Sequence, residues 1–127
     1  MMKSNSVYQR PSILEDLGNG TAHYNYNVVE TEKVNEEGVS TPSYDYDQVV
    51  IHGTPTYSKI VSAVIREKYT IDKELSLLNN YNRYVSAAEA EKNPKHQQEY
   101  MDYIQETATI KQFVKSDCLA FNVQIDD

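Results

Sequence analysis

Two short stretches of this chain echo each other, and their pattern constrains the fold more than any other feature. "YNYNVV" (residues 24–29) and "YDYDQVV" (residues 44–50) alternate tyrosine with a polar residue and then become β-branched. A period of two is typical of a half-buried strand, whose successive side chains point to opposite faces. The stretch between them is polar and is interrupted by Gly38 and Pro42. We therefore predict two strands paired as a long-looped antiparallel hairpin, with tyrosines stacked across the pair.

Helical spacing begins directly after the second strand. In "HGTP", Gly53 is expected to supply a turn, Thr54 the N-cap and Pro55 the first helical position. Apolar residues then recur at helical intervals and predict an amphipathic helix of about 13 residues. They are Tyr57, Ile60, Val61, Val64 and Ile65.

Two more helices are predicted further along the chain. Thr70 and Asp72 open the second helix, and "NP" at residues 93–94 opens the third, which is expected to end near Ser116. The predicted apolar side of the second helix consists of Ile71, Leu75, Leu78 and, if the helix continues, Val85. The final "AFNVQI" alternates and predicts a short strand or a docking tail.

The first 20 residues are polar and end in the turn sequence "LGNG". Ile13, Leu14 and Leu17 are spaced for one or two helical turns, too few to be stable alone. We predict a flexible N-terminal arm over residues 1–20 and a single α+β domain over residues 21–127. The domain is expected to be a two-stranded antiparallel β-ribbon packed with two or three α-helices.

Charge and cysteine content limit the classes of function. The formal net charge is -7 and no run of Lys and Arg offsets it, so binding to nucleic acid or to an anionic membrane is disfavoured. Cys118 is the only cysteine, which excludes an internal disulfide. No apolar run reaches the length of a membrane span, and we expect a protein made in the cytosol.

The residues with catalytic or metal-binding chemistry form no recognised motif. Asp45 and Asp47 share a strand face, with Asn25 and Asn27 at the corresponding places of the other strand, but the EF-hand pattern is absent. His52, Gly53 and Thr54 precede a helix without the glycines and lysine of a phosphate-binding loop. We therefore predict no catalytic residues, no metal site, no cofactor and no enzymatic activity.

Tyrosine is the remaining signal, with 11 copies beside 2 Phe and no Trp. Its apolar ring and polar tip suit both half-buried strands and protein–protein contacts. We predict a division between core and interface among these tyrosines. The candidate interface residues are Tyr24, Tyr26, Tyr44, Tyr46, Tyr81, Tyr84, Tyr100 and Tyr103.

Residues 49–84 resemble small uncharacterised proteins of tailed phages and prophages of gut bacteria. The similarity lies in a strand, a G-x-P-T-Y turn, an apolar helix ending in R-x-x-Y-[ST] and an acidic helix ending in L-x-N-N-Y-N. A tyrosine-rich helix like "QEYMDYIQETATIKQFVK" (residues 98–115) follows. The similarity covers about the last three-quarters of the chain and carries no catalytic motif.

The resemblance implies a virion-associated or assembly protein. The expected function is that of a non-enzymatic structural component, such as a head-fibre, capsid-decorating or tail-accessory protein, which binds itself and a larger virion protein. Virion appendages of this class favour trimers. Such a protein would lie in the host bacterial cytoplasm during assembly and then in the virion. The alternatives are a tail-assembly chaperone, an acidic anti-defence inhibitor and, third, a small enzyme that would act through Asp45, Asp47 and His52.

Overall fold

The strands of this protein precede its helices. A computed structural model of the 127-residue chain describes residues 3–7, 9–84 and 94–126. In that part of the chain, four strands and three helices form an α+β fold. They are β1 (Lys3–Val7), β2 (Leu14–Asp16), β3 (Thr21–Val34), β4 (Ser40–His52), α1 (Tyr57–Lys68), α2 (Ile71–Arg83) and α3 (Pro94–Ala120).

The four strands form one antiparallel sheet in the order β1-β4-β3-β2. The predicted two-stranded ribbon is therefore wrong, because β3 and β4 are the middle of a four-stranded sheet. Both outer strands come from the stretch predicted as a flexible arm, and Leu14 lies in a strand instead of a helical turn. The sequences "KSNSV" and "LED" are short and polar, so they lack the alternation that revealed the central pair.

The register of the central β-hairpin differs from the one suggested by the sequence echo. Tyr24 lies opposite Val49 and Tyr26 lies opposite Asp47. Tyr44 and Tyr46 occupy alternate positions along β4, so their side chains belong to the other face of the sheet. The predicted stacking of tyrosines across the strand pair is therefore wrong.

A β-bulge in β3 interrupts the pairing between Tyr26 and Val29. Asn27 adopts a φ of 52°, in the left-handed region that Asn tolerates better than most residues. Its side-chain amide donates to Oδ2 of Asp47 at 3.0 Å. The extra residue moves Val28 to the face opposite Tyr24 and Tyr26, whereas strict alternation along the strand would place all three on one face.

The amphipathic character of α1 is confirmed, because all five predicted apolar residues are buried. Its N-cap is Thr56 and not Thr54: the Thr56 hydroxyl accepts from the backbone N–H of Lys59 at 3.4 Å. Gly53 turns the chain at a φ of 74°, which glycine adopts without strain. The cap lies two residues later than predicted because Thr54 and Pro55 belong to the turn.

The core lies between the sheet and the helices α1 and α3. Tyr24, Val49 and Ile51 of the sheet pack against α1 and against the C-terminal half of α3. The α3 residues in this core are Ile110, Val114 and Cys118. Helix α3 continues to Ala120, about one turn beyond the predicted end near Ser116, and this last turn brings Cys118 into the core.

The C-terminal tail docks on α1. Gln124 forms an isolated parallel bridge with Thr56, and Val123 and Ile125 pack against the core. The Asp126 carboxylate accepts hydrogen bonds from the backbone N–H and the hydroxyl of Ser58, at 2.8 and 2.7 Å. These bonds lower the pKa of Asp126, as expected for a carboxylate at a helix N-terminus.

Two sequence predictions fall outside the described residues: the continuation of α2 to Val85, and Asn93 as the cap of α3. Helix α2 ends at Arg83. None of the helices in the described ranges is long and apolar enough to cross a bilayer.

Candidate functional site

The predicted interface tyrosines divide into two groups with different surroundings. Tyr24 and Tyr26 are 1% and 5% exposed and belong to the core. Tyr46 is also buried, while Tyr44 on the same sheet face is half-buried. The sheet tyrosines therefore contribute mostly to the interior of the folded chain.

The two core tyrosines differ in what their hydroxyl groups contact. The Tyr24 hydroxyl donates to Oδ2 of Asp117 at 2.5 Å, and burial together with this carboxylate raises the pKa of Tyr24. The Tyr26 hydroxyl is buried without a hydrogen-bond partner among the described residues. Burial, with a smaller effect from nearby Asp47, raises the pKa of Tyr26 to about 12. Both phenols are therefore neutral at ordinary pH.

The other four candidate tyrosines lie on or beside a helical pair, defined here as α2 and residues 94–107 of α3; Tyr84 is the C-cap residue of α2. Tyr81 and Tyr100 stack with their ring centroids 4.3 Å apart. Tyr84 stacks on His96 at 4.7 Å, and Tyr103 meets Tyr69 edge-on at 5.0 Å. These partners show that the two helices run antiparallel, with half-buried aromatic rings along their contact.

Ion pairs fix the base of the helical pair to α1. Arg66 contacts Glu74 at 2.6 Å and Lys68 contacts Glu106 at 2.6 Å. The Tyr69 hydroxyl also donates to Glu106. The pKa of Glu74 is lowered mainly by Arg66, and that of Glu106 mainly by Lys68. Both carboxylates are thus ionised in the folded state and engaged within the chain.

The exposed side of the helical pair is apolar. Helix α2 buries only Leu77 among its described residues, whereas the predicted apolar side of Ile71, Leu75 and Leu78 is exposed. Met101 and Ile104 of α3 are exposed as well. We call these five residues the apolar face; they are between 39% and 60% exposed. In an antiparallel pair, helical periodicity places both sets on the same side.

A shallow groove runs along the apolar face. Ile71, Leu75 and Leu78 line one wall together with Glu74, and Tyr100 and Tyr103 line the other. Its water-accessible volume is about 220 Å³. By periodicity, Asn79, Asn82 and Ala108 are also exposed on this side, and Asp72, one heptad before Asn79, lies at its edge. The surface is therefore apolar at its centre, with the carboxylates of Glu74 and Asp72 at its margin.

The sequence of α2 contains two stripes of residues at helical spacing, and the more hydrophobic stripe is not the one that is buried. Leu77, Tyr81 and Tyr84 recur at helical spacing and face α3, while Ile71, Leu75 and Leu78 form a second stripe about 100° away. Aliphatic residues outrank tyrosine on any hydrophobicity scale, so the exposed stripe was predicted to be the buried one.

A larger cleft of about 550 Å³ lies beside the β-bulge. Tyr26, Phe113, Val64 and Ile110 supply its apolar walls, and polar side chains of α1 and α3 surround its opening. Among the latter, Lys68 and Glu106 neutralise each other. The cleft contains no grouping of charges that selects one class of ligand.

The residues examined for catalysis and metal binding are dispersed. Asp45 accepts from Asn5 at 2.7 Å and Asp47 accepts from Asn27, whereas Asn25 faces the other side of the sheet and accepts from Gln48 at 2.9 Å. Asn27 was predicted to lie near both aspartates, and it hydrogen-bonds to Asp47.

His52 is exposed, and its backbone carbonyl accepts from Nζ of Lys59 at 3.2 Å. Cys118 is buried, which raises the pKa of its thiol. The described residues contain no cluster of three or more His, Cys, Asp or Glu suited to a metal ion.

Comparison of the sequence with protein-family models finds no match, and the curated proteins and the solved structures provide none either.

Proposed function

We propose that this chain is a non-enzymatic interaction protein of a phage particle. In this role it binds copies of itself and a larger virion protein, as a head-fibre, capsid-decorating or tail-accessory component does. It would be assembled in the host bacterial cytoplasm and carried into the virion. The phage context rests on the sequence resemblance over residues 49–84 and 98–115.

The observation that carries the binding role is the apolar face. Exposed aliphatic side chains that are contiguous and rimmed by polar residues are typical of protein contact surfaces. Tyr100 and Tyr103 flank this face, and tyrosine is enriched among the residues that contribute most to binding energy. Two of the tyrosines predicted to lie at an interface are therefore next to the surface proposed here.

The test is to purify particles from a host that carries the gene and to quantify the chain by mass spectrometry. We expect it in the particles at a fixed ratio to the major virion protein. Leu75→Glu with Leu78→Glu should reduce incorporation at least about tenfold, which corresponds to about 1.4 kcal/mol of lost binding. Ser76→Glu, exposed on another side of α2, should be incorporated normally.

The same experiment separates the alternatives. If particles fail to assemble without the chain but never contain it, the tail-assembly chaperone is favoured. If normal particles form without the chain and never contain it, the proposed function is contradicted.

A further inference from the structure

The apolar face raises the question of what covers it, because α2 has little support of its own. It packs on α3 through Leu77 and through the stacked rings of Tyr81 and Tyr84. A pair of antiparallel helices buries only one side of each helix. Stable helical bundles add a second pair, so that each helix contacts two neighbours around a shared apolar interior.

We infer that the occupant is a second copy of this chain, and that the two helical pairs pack face to face as a four-helix bundle. This inference rests on the proposed binding role of the same face. In the dimer, Ile71, Leu75 and Leu78 of one copy contact Met101, Ile104 and the groove rings of the other. The two-fold axis passes through the middle of the apolar face.

The centre of the face consists of uncharged side chains, which supports a second copy as the partner. In a two-fold interface, each residue near the axis meets the same residue of the other copy, so a charge there would be repelled by its own image. Lys73 and Arg83 of α2, and Glu99 and Asp102 of α3, lie on other sides of their helices by periodicity. Glu74 lines the groove but is paired with Arg66, so the like-charge contacts that a protein with a net charge of -7 would present to its own copy are confined to the margin of the face.

The apolar surface area of the face is sufficient for a dimer interface. The exposures of the five apolar residues correspond to on the order of 500 Å² of apolar surface in each copy, comparable with the largest apolar patch on a typical monomer. Pairing two such faces would bury on the order of 1,000 Å², the lower limit for a specific interface. Asn79, Asn82, Tyr100 and Tyr103 would form a polar and aromatic rim that adds to this area.

The geometry of the face favours two copies over three. It is two helices wide and lies on a single side of the helical pair, so it is complementary to an identical face turned by 180°. A three-fold assembly would require each copy to present two different surfaces to its neighbours. The trimer expected from the phage class is accordingly an outcome that would overturn this inference.

The test is light scattering after size exclusion on the full chain, from about 10 µM to about 1 mM, a range that detects weak dimers. At the upper end of this concentration range we expect a mass of two chains, each of 14.6 kDa. The Leu75→Glu variant should have the mass of one chain at every concentration. Ser76→Glu adds the same charge one residue further along and should remain dimeric. Thermal unfolding of each variant establishes that it is folded.

A cross-linking measurement avoids introducing a charge. Copies carrying Leu78→Cys, mixed with copies carrying Ile104→Cys, should form a disulfide between copies on mild oxidation, because the dimer pairs α2 of one copy with α3 of the other. Ser76→Cys mixed with the same Ile104→Cys copies should not. The native Cys118 is buried and does not compete. A wild-type mass of one chain at all concentrations, a mass of three chains, or equal cross-linking in both mixtures would overturn the inference.

These outcomes are separable from the proposed function. A chain that is monomeric in solution but present in particles refutes the dimer and leaves the virion role intact. A chain that dimerises in solution but is absent from particles supports the dimer and refutes the virion role.

Discussion

The tyrosines of the sheet and those of the helical pair show two ways in which one residue type stabilises a fold. Tyr24 and Tyr26 are sealed beneath two helices and stack on each other with centroids 5.6 Å apart. Tyr81 and Tyr100 stack more closely, at 4.3 Å, but are covered on one side only. Stacked tyrosines therefore lie inside a closed core in the sheet region, whereas in the helical pair the stacked rings are covered on one side. The difference is the one expected if the helical pair, unlike the sheet, is completed by the proposed second copy.

The largest expected effect comes from removing aliphatic side chains in the two regions. Ile60→Ala in the core should lower the free energy of unfolding by about 3 kcal/mol at any protein concentration, because it leaves a cavity. Leu75→Ala should cost about 0.5 kcal/mol or less at high dilution, and more as the concentration rises, because dimerisation is linked to folding. Chemical denaturation at two concentrations measures both values. A concentration-independent cost for Leu75→Ala would remove the proposed distinction between the regions.

Alkaline pH should destabilise the fold through its buried tyrosines in the sheet and also through the half-buried Tyr69 and Tyr103, whose pKa values are raised as well. The folded pKa values of Tyr24 and Tyr26 are raised above the ordinary value near 10. Their contribution to stability is thus fully present below pH 10 and is lost as pH rises above 10, where only the unfolded chain ionises. Each such tyrosine lowers the free energy of unfolding by about 1.4 kcal/mol per pH unit in that window. Unfolding midpoints measured from pH 8 to 12 should fall accordingly, and a flat profile would contradict the burial of both phenols.

Replacing each core tyrosine by phenylalanine separates the two hydroxyl groups. Tyr24→Phe should destabilise the protein by about 1–2 kcal/mol, because the Asp117 carboxylate loses its donor. Tyr26→Phe should be neutral or stabilising by up to about 1 kcal/mol, since it removes a buried hydroxyl that has no partner in the described residues. The two variants have the same change in volume, so each controls for the other. Equal destabilisation would mean that Tyr26 has a hydrogen-bonding partner in solution.

The smallest effect concerns the ring contact in the helical pair. A double-mutant cycle with Tyr81→Ala and Tyr100→Ala should give a coupling energy of about 0.5–1.5 kcal/mol, as for other stacked aromatic pairs. The cycle should be run on the Leu75→Glu background, where the monomer is isolated. A coupling near zero would show that the two helices are held by Leu77 and by the ion pairs of Glu74 and Glu106 instead.

Sequence periodicity predicted the elements whose two faces differ. Helix α1 and the central strands were found because apolar and polar residues alternate with the period of each structure. The strands β1 and β2 were missed because "KSNSV" and "LED" carry no such alternation. They are strands because β3 and β4 offer unpaired backbone groups on their outer sides, which is a property of the folded sheet and not of the local sequence.

The site was predictable only in part. The tyrosines of the helical pair were identified as candidates, but Ile71, Leu75 and Leu78 of the apolar face were predicted to be the buried side of α2. Which of two competing stripes on α2 is buried depends on where α3 lies, and no single-sequence pattern contains that position. The register of β3 likewise depends on Asn27, whose left-handed backbone shifts every later residue by one face. The similarity between the two tyrosine stretches does not reveal this shift in register.

The small apolar pocket under β2 has a consequence for biosynthesis. Ile13 and Leu14 line it together with Cys118, Phe121 and Val123, so residues about a hundred positions apart close the same end of the core. Contacts with such large sequence separation form late, because the chain between them must be ordered first. On the ribosome, this end of the core is expected to close only after the last turn of α3 has left the exit tunnel, whereas the strands of the sheet can pair earlier.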